Sequence, residues 1–127
     1  MEVNEEFKVW IKSGKDKLDI YNSDHARGIS LLPTRWGITV DDNGEIAASG
    51  WSVCAIGACL LGEDSVDTEY WWVWEKYVAK KFGINVYEVD HFIDGYDTDL
   101  DDVDEEYVQS KDEYFAFGQE MRKEHGF

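Results

Sequence analysis

The stretch Gly50-Trp51-Ser52-Val53-Cys54-Ala55-Ile56-Gly57-Ala58-Cys59-Leu60-Leu61-Gly62 is the most apolar in the chain. From Val53 to Leu61 there is no charge, and small residues (Ala55, Gly57, Ala58) alternate with larger ones (Ile56, Leu60, Leu61). A bilayer-spanning helix needs about 20 apolar residues, so this segment is too short to span. It reads instead as a buried helical segment whose small side chains allow close packing. Cys54 and Cys59 are five apart, which on a helix separates them by about 140°. They are expected as separate small hydrophobes rather than as a disulfide, and no secretory pattern opens the chain. A reducing cytoplasmic setting follows, the host-cell cytoplasm if the chain is phage-encoded.

Outward from this segment, helical periodicity dominates. Asn4 is placed to cap a helix opening with Glu5-Glu6, with Val3 before the cap and Phe7, Trp10 and Ile11 as its buried stripe. Gly14 ends or interrupts it, and Lys15 to Arg27 can form a second helix with Leu18, Tyr21 and His25 on one side. Asp41-Asp42-Asn43-Gly44 between β-prone residues predicts a hairpin at about 37–48, since both turn positions tolerate positive φ. A helix beginning at Ser65 or Asp67 carries Tyr70, Val73, Trp74, Tyr77, Val78 and Phe82 at helical spacing and stops at Gly83. Trp71 and Trp72 lie off that stripe; they either widen the buried face or form a partner-facing aromatic patch. Asn85, with Glu88 three residues on, caps a helix expected to run through Ile93 and end at Gly95. An acidic connector from Asp97 to Glu106 leads into a last helix with Val103, Tyr107, Tyr114 and Met121 on its buried side. The fold class expected is mainly α (α+β), a small helical domain over residues 1–127 with one hairpin, packed on the apolar segment.

Composition bounds the function. The chain has 127 residues, 43% hydrophobic and 15% aromatic, enough for a core and against disorder. Its formal charge of −16 exceeds the magnitude of roughly 2 to 8 usual for a small soluble domain. Residues 1–36 are neutral, with six acids and six bases, so 37–127 hold the whole excess. Between Phe82 and Ser110 stand ten acids and no Lys or Arg. A salt-adapted surface would be acidic throughout, which the neutral first third contradicts. The sign of the charge disfavours direct nucleic-acid binding, since a binder must neutralise phosphates with Lys and Arg.

Catalytic and metal motifs are incomplete. Asp97, Asp99 and Asp101 have the spacing of the first three ligands of a calcium loop. The sixth position is Asp102 instead of Gly, however, and the twelfth is Val108 instead of Glu. The three could still serve a small metal-dependent module or enzyme, an alternative reading kept beside an acidic assembly protein. Asp24-His25 with Cys54 or Cys59 can be drawn as a nucleophile dyad, but those thiols lie in the apolar segment, where they would be inert. Gly14-Lys15 is too short a match to a phosphate loop, and His25, His91 and His125 form no zinc pattern. The expectation is a non-enzymatic protein without cofactor.

What remains is the acidic row itself: Glu88, Asp90, Asp94, Asp97, Asp99, Asp101, Asp102, Asp104, Glu105 and Glu106. Helical neighbours three or four apart stand about 5–6 Å from each other, while a DNA strand places one phosphate about every 3.4 Å of axis. A folded row of carboxylates can therefore imitate a phosphate row and attract a basic nucleic-acid-binding cleft. Trp71, Trp72 and Tyr96 are the candidate aromatic anchors beside it.

The pattern of Trp51, Cys54, Ala55, Ile56, Gly57 and Ala58, followed by Phe82-Gly83-Ile84 and then Asp97, resembles small proteins of phage and bacterial genomes that share a W-x-x-C-A-[IL]-G-A segment. The similarity covers about residues 50–97, and Gly95-Tyr96 stands where those proteins have an Asn-Asp step. The resemblance carries over no function. By analogy it implies a mobile-element origin, where inhibitors of host restriction or CRISPR systems that imitate nucleic acid recur.

Overall fold

Asn4 fixes the start of the first helix and ties it to two others. Its side-chain oxygen accepts from Phe7 N–H at 2.9 Å, its N–H donates to the Tyr114 hydroxyl at 3.1 Å, and its Nδ2 donates to the Phe82 carbonyl at 3.3 Å. The computed structural model describes residues 2–25, 28, 30–31, 52–60, 71–99 and 112–127; at His25, 52–53 and 71–74 the description is of the backbone alone. Over these residues the fold is mainly α. Helix α1 (Glu5–Lys12) turns at Ser13 into α2 (Gly14–His25). The apolar segment supplies α3 (Ala55–Leu60), and α4 (Trp71–Phe82), α5 (Val86–Asp97) and α6 (Glu113–Glu124) follow. Strands β1 (Ser30–Leu31) and β2 (Ser52–Val53) pair in parallel, with Ser30 opposite Ser52 and Leu31 opposite Val53. The hairpin expected at 37–48 lies outside the described residues.

Every residue of α3 is buried, as its composition requires. Cys54 Sγ accepts from Gly57 N–H at 3.4 Å, a sulfur version of an N-cap, and Cys59 Sγ donates to the Trp10 carbonyl at 3.1 Å. Both cysteines are free and buried.

The apolar segment is not the sole centre. Phe7, fully buried, sits among the rings of Phe82 (5.6 Å between centroids), Phe92 (5.4 Å), Tyr114 (5.7 Å) and Phe117 (6.2 Å). The pairs with Phe82, Phe92 and Phe117 are edge-to-face and that with Tyr114 is tilted; edge-to-face pairs each add about 0.5–1.5 kcal/mol beyond burial. This aromatic hub joins α1, α4, α5 and α6, while α3 serves α1 and α2.

The end of α5 departs from expectation. Gly95 does not terminate the helix, which continues to Asp97. Gly95 and Gly118 are the crossing point of α5 and α6. A Cβ on Gly95 would collide with the Phe115 carbonyl, and one on Gly118 with the Phe92 carbonyl and, at 2.7 Å, with Tyr96 N. Gly83, by contrast, does stop α4, with φ +64°. Among the described residues no helix is long and apolar enough to cross a membrane.

Candidate functional site

Helix α5 carries the first four acids of the expected row. Asn85 opens it with a complete capping box: its side chain accepts from Tyr87 N–H at 3.0 Å, and Glu88 Oε1 accepts from Asn85 N–H at 3.0 Å. Glu88 is therefore committed to the helix start. At about 100° per residue, Asp90, Asp94 and Asp97 fall within about 60° of one another, and Glu88 stands on the opposite flank. Asp90, Asp94 and Asp97 are half-buried, and Asp99, just past the helix end, is exposed. The structure thus brings Asp90, Asp94 and Asp97 onto one edge of α5 and separates Glu88 from them. Asp101, Asp102, Asp104, Glu105 and Glu106 lie outside the described residues. Trp71 and Trp72 open α4, and their side chains are outside the description as well.

Tyr96 is a correction. It was expected as an exposed anchor, yet its side chain is only 1% accessible. On the helix it falls on the face of Val89, Phe92 and Ile93, and it stacks on Phe92 at 6.3 Å. Its hydroxyl lies 2.8 Å from His125 Nδ1. Burial, and then the nearby Cys54 and Asp97, push the phenol pKa well above its ordinary value. Burial, with Lys15 beside it, lowers that of His125.

The acid-bearing edge is held firmly from behind. The last turn of α5 has no basic residue of its own; Thr98 Oγ1 donates to the Asp94 carbonyl at 2.6 Å, and α6 supplies donors for the carbonyls that follow. Gln119 Nε2 donates to the Gly95 carbonyl and, at 2.7 Å, to that of Thr98; Arg122 Nη1 donates to the Tyr96 carbonyl at 2.9 Å. With the glycine crossing, these bonds leave α5 little freedom to shift against α6.

A second group of acids lies on the other flank, where the ends of three helices converge. Asp112 caps α6, its Oδ1 accepting from Tyr114 N–H at 3.1 Å and Phe115 N–H at 3.2 Å, while its Oδ2 accepts from His91 Nδ1 at 2.7 Å. A groove of about 520 Å³ opens there, floored by Tyr87, Tyr114 and Ala116 and edged by Glu88, Asp112 and Glu113. Glu113 and Ala116 also wall a neighbouring groove of about 320 Å³ that carries Glu2, Glu5, Lys8 and Glu120. Only Glu88 of these acids belongs to the expected row. The others are scattered between residues 2 and 120, so no local run of charge marks them.

Among the described residues no group of three or more His, Cys, Asp or Glu side chains is placed to hold a metal ion. The Asp97, Asp99 and Asp101 set cannot be assembled here, because Asp101 lies outside the description. Burial raises the Cys54 thiol to about 11, far from a nucleophile's range. Comparison of the chain with protein-family models, with curated proteins and with solved structures finds no match.

Proposed function

We propose that this is a non-enzymatic acidic binding protein that engages the basic surface of a nucleic-acid-binding protein, its carboxylates standing in for phosphates. The observation that carries the reading is the placement of Asp90 and Asp94 on one edge of a helix clamped to its neighbour at Gly95 and Gly118, with Asp97 below them turned partly inward, its Oδ1 buried. A clamped helix keeps the spacing of the carboxylates it carries when a partner approaches, so binding does not have to order the backbone first. The net charge of −16 adds long-range attraction for a basic partner. Host restriction and CRISPR systems are partners of this chemistry, reached by analogy with mobile-element inhibitors that imitate nucleic acid.

Capture from native lysate at low and high salt, with and without competing duplex DNA, tests it. The expected result is retention of a nucleic-acid-binding protein that is released by salt and displaced by the duplex. Retention indifferent to both would contradict the proposal.

A further inference from the structure

We propose that the groove between the start of α5 and the start of α6 is a docking site for a short basic segment of a protein partner, one bearing an aliphatic side chain between Lys or Arg residues. This deepens the reading above and rests on it for the sign of the partner's charge. The apolar surface of the groove comes mainly from the exposed Tyr87 ring and the Ala116 methyl, beside the edge of the buried Tyr114. Tyr87, at 72%, is the most accessible of the large hydrophobic side chains among the described residues. A ring in that position offers contact area and a π-face to a cation.

The rim decides the occupant. Glu88, Asp112 and Glu113 edge the groove, and among the described residues no Lys or Arg lines it. Across the shared wall of Glu113 and Ala116, the second groove adds Glu2, Glu5 and Glu120 against the single Lys8. An acidic or neutral segment would meet six carboxylates from three helices; a basic segment would be attracted by all of them. The volume, about 520 Å³, lies within the range of roughly 300–1,000 Å³ typical of side-chain and ligand pockets. It accommodates an aliphatic side chain on the apolar floor while flanking cations reach the rim.

The test is an amide NMR titration of the full chain with the peptide Lys-Lys-Leu-Lys-Lys, its Gln-for-Lys counterpart and its Ser-for-Leu counterpart. Expected are shift changes centred on Tyr87, Glu88, Glu113 and Ala116, with affinity reduced about fivefold or more by Tyr87→Ala and by Glu113→Gln with Glu120→Gln. These variants spare the capping carboxylates of Glu88 and Asp112, so the spectrum away from the groove should be unchanged. The Ser-for-Leu peptide should bind several-fold more weakly, and the Gln-for-Lys peptide should not bind. Changes centred on Asp90, Asp94 and Asp97 would overturn the groove while leaving the basic-partner reading intact. No response to any Lys peptide would overturn the groove, while the lysate capture decides the basic-partner reading separately.

Discussion

Gly118 lacks a side chain because the backbone of α5 occupies the space one would fill. A methyl there would meet the Phe92 carbonyl and Tyr96 N. Ala is the better helix former by about 1 kcal/mol, so propensity alone predicts that Gly118→Ala stabilises. The clash is with backbone, which cannot rotate away, and overpacking costs about 1–3 kcal/mol or more. We expect net destabilisation of about 2 kcal/mol in urea unfolding; an unchanged or raised midpoint would show that α5 and α6 do not cross here. His125 gives a prediction in pH. Its folded pKa is lowered, by burial first and then by Lys15 against a smaller opposing effect of Glu124. The unfolded chain therefore takes up the proton first, near pH 6.5. Stability from this site is complete above that value and is lost as pH falls from there through the lower folded pKa. Unfolding free energies measured between pH 7 and 5.5 should decline, and His125→Gln should flatten the decline. The thiols make a third case. Cys54 is raised to about 11, and both cysteines are buried, so neither should react with a thiol reagent at pH 8 until the protein unfolds.

At the scale of elements, the caps decide where helices begin. Asp112 satisfies two N–H groups of α6 and also holds His91. Asp112→Ala should cost about 1–2 kcal/mol, readable as a lower thermal midpoint. Asp112→Asn, which keeps a capping oxygen, should recover most of that loss. The helix starts at Asn4, and at Asn85 with Glu88, were legible in the sequence because a cap acts over three residues; the Asp112 start of α6 was not, since the acidic connector was expected to run into that helix earlier. The stop at Gly83 was legible for the same reason. Gly95 was misread because a glycine inside a helical pattern punctuates locally unless something distant needs the space. That something, the backbone around Phe115, is 20 residues away in the chain. Tyr96 was misplaced with it: once the helix is ended at Gly95, nothing puts Tyr96 on the face of Phe92. The parallel pair at Leu31 and Val53 was also missed, since two residues per strand carry no periodicity.

For the whole molecule, charge and core make opposing demands. The aromatic hub about Phe7 concentrates burial, while the formal charge of −16 pushes the surface apart. Salt should relieve that repulsion. Between low and moderate ionic strength we expect the thermal midpoint to rise by about 3 to 6 °C, the shift that roughly 1 kcal/mol produces. The hub was half legible: Phe7 and Tyr114 each fell on a predicted buried stripe, but their meeting depends on tertiary placement. The acidic site was legible only as a run along α5. Its second half, with Asp112, Glu113 and Glu120 beside Glu2 and Glu5, comes from helix ends distant in sequence, which composition cannot bring together. The central claim is that carboxylates held by this fold, rather than charge in general, attract a basic partner. The most direct measurement is the salt dependence of the dissociation constant for the captured partner, compared between the wild type and Asp90→Asn with Asp94→Asn. The account predicts weaker binding and a shallower dependence on salt for the variant. Equal affinity and an equal slope would contradict it.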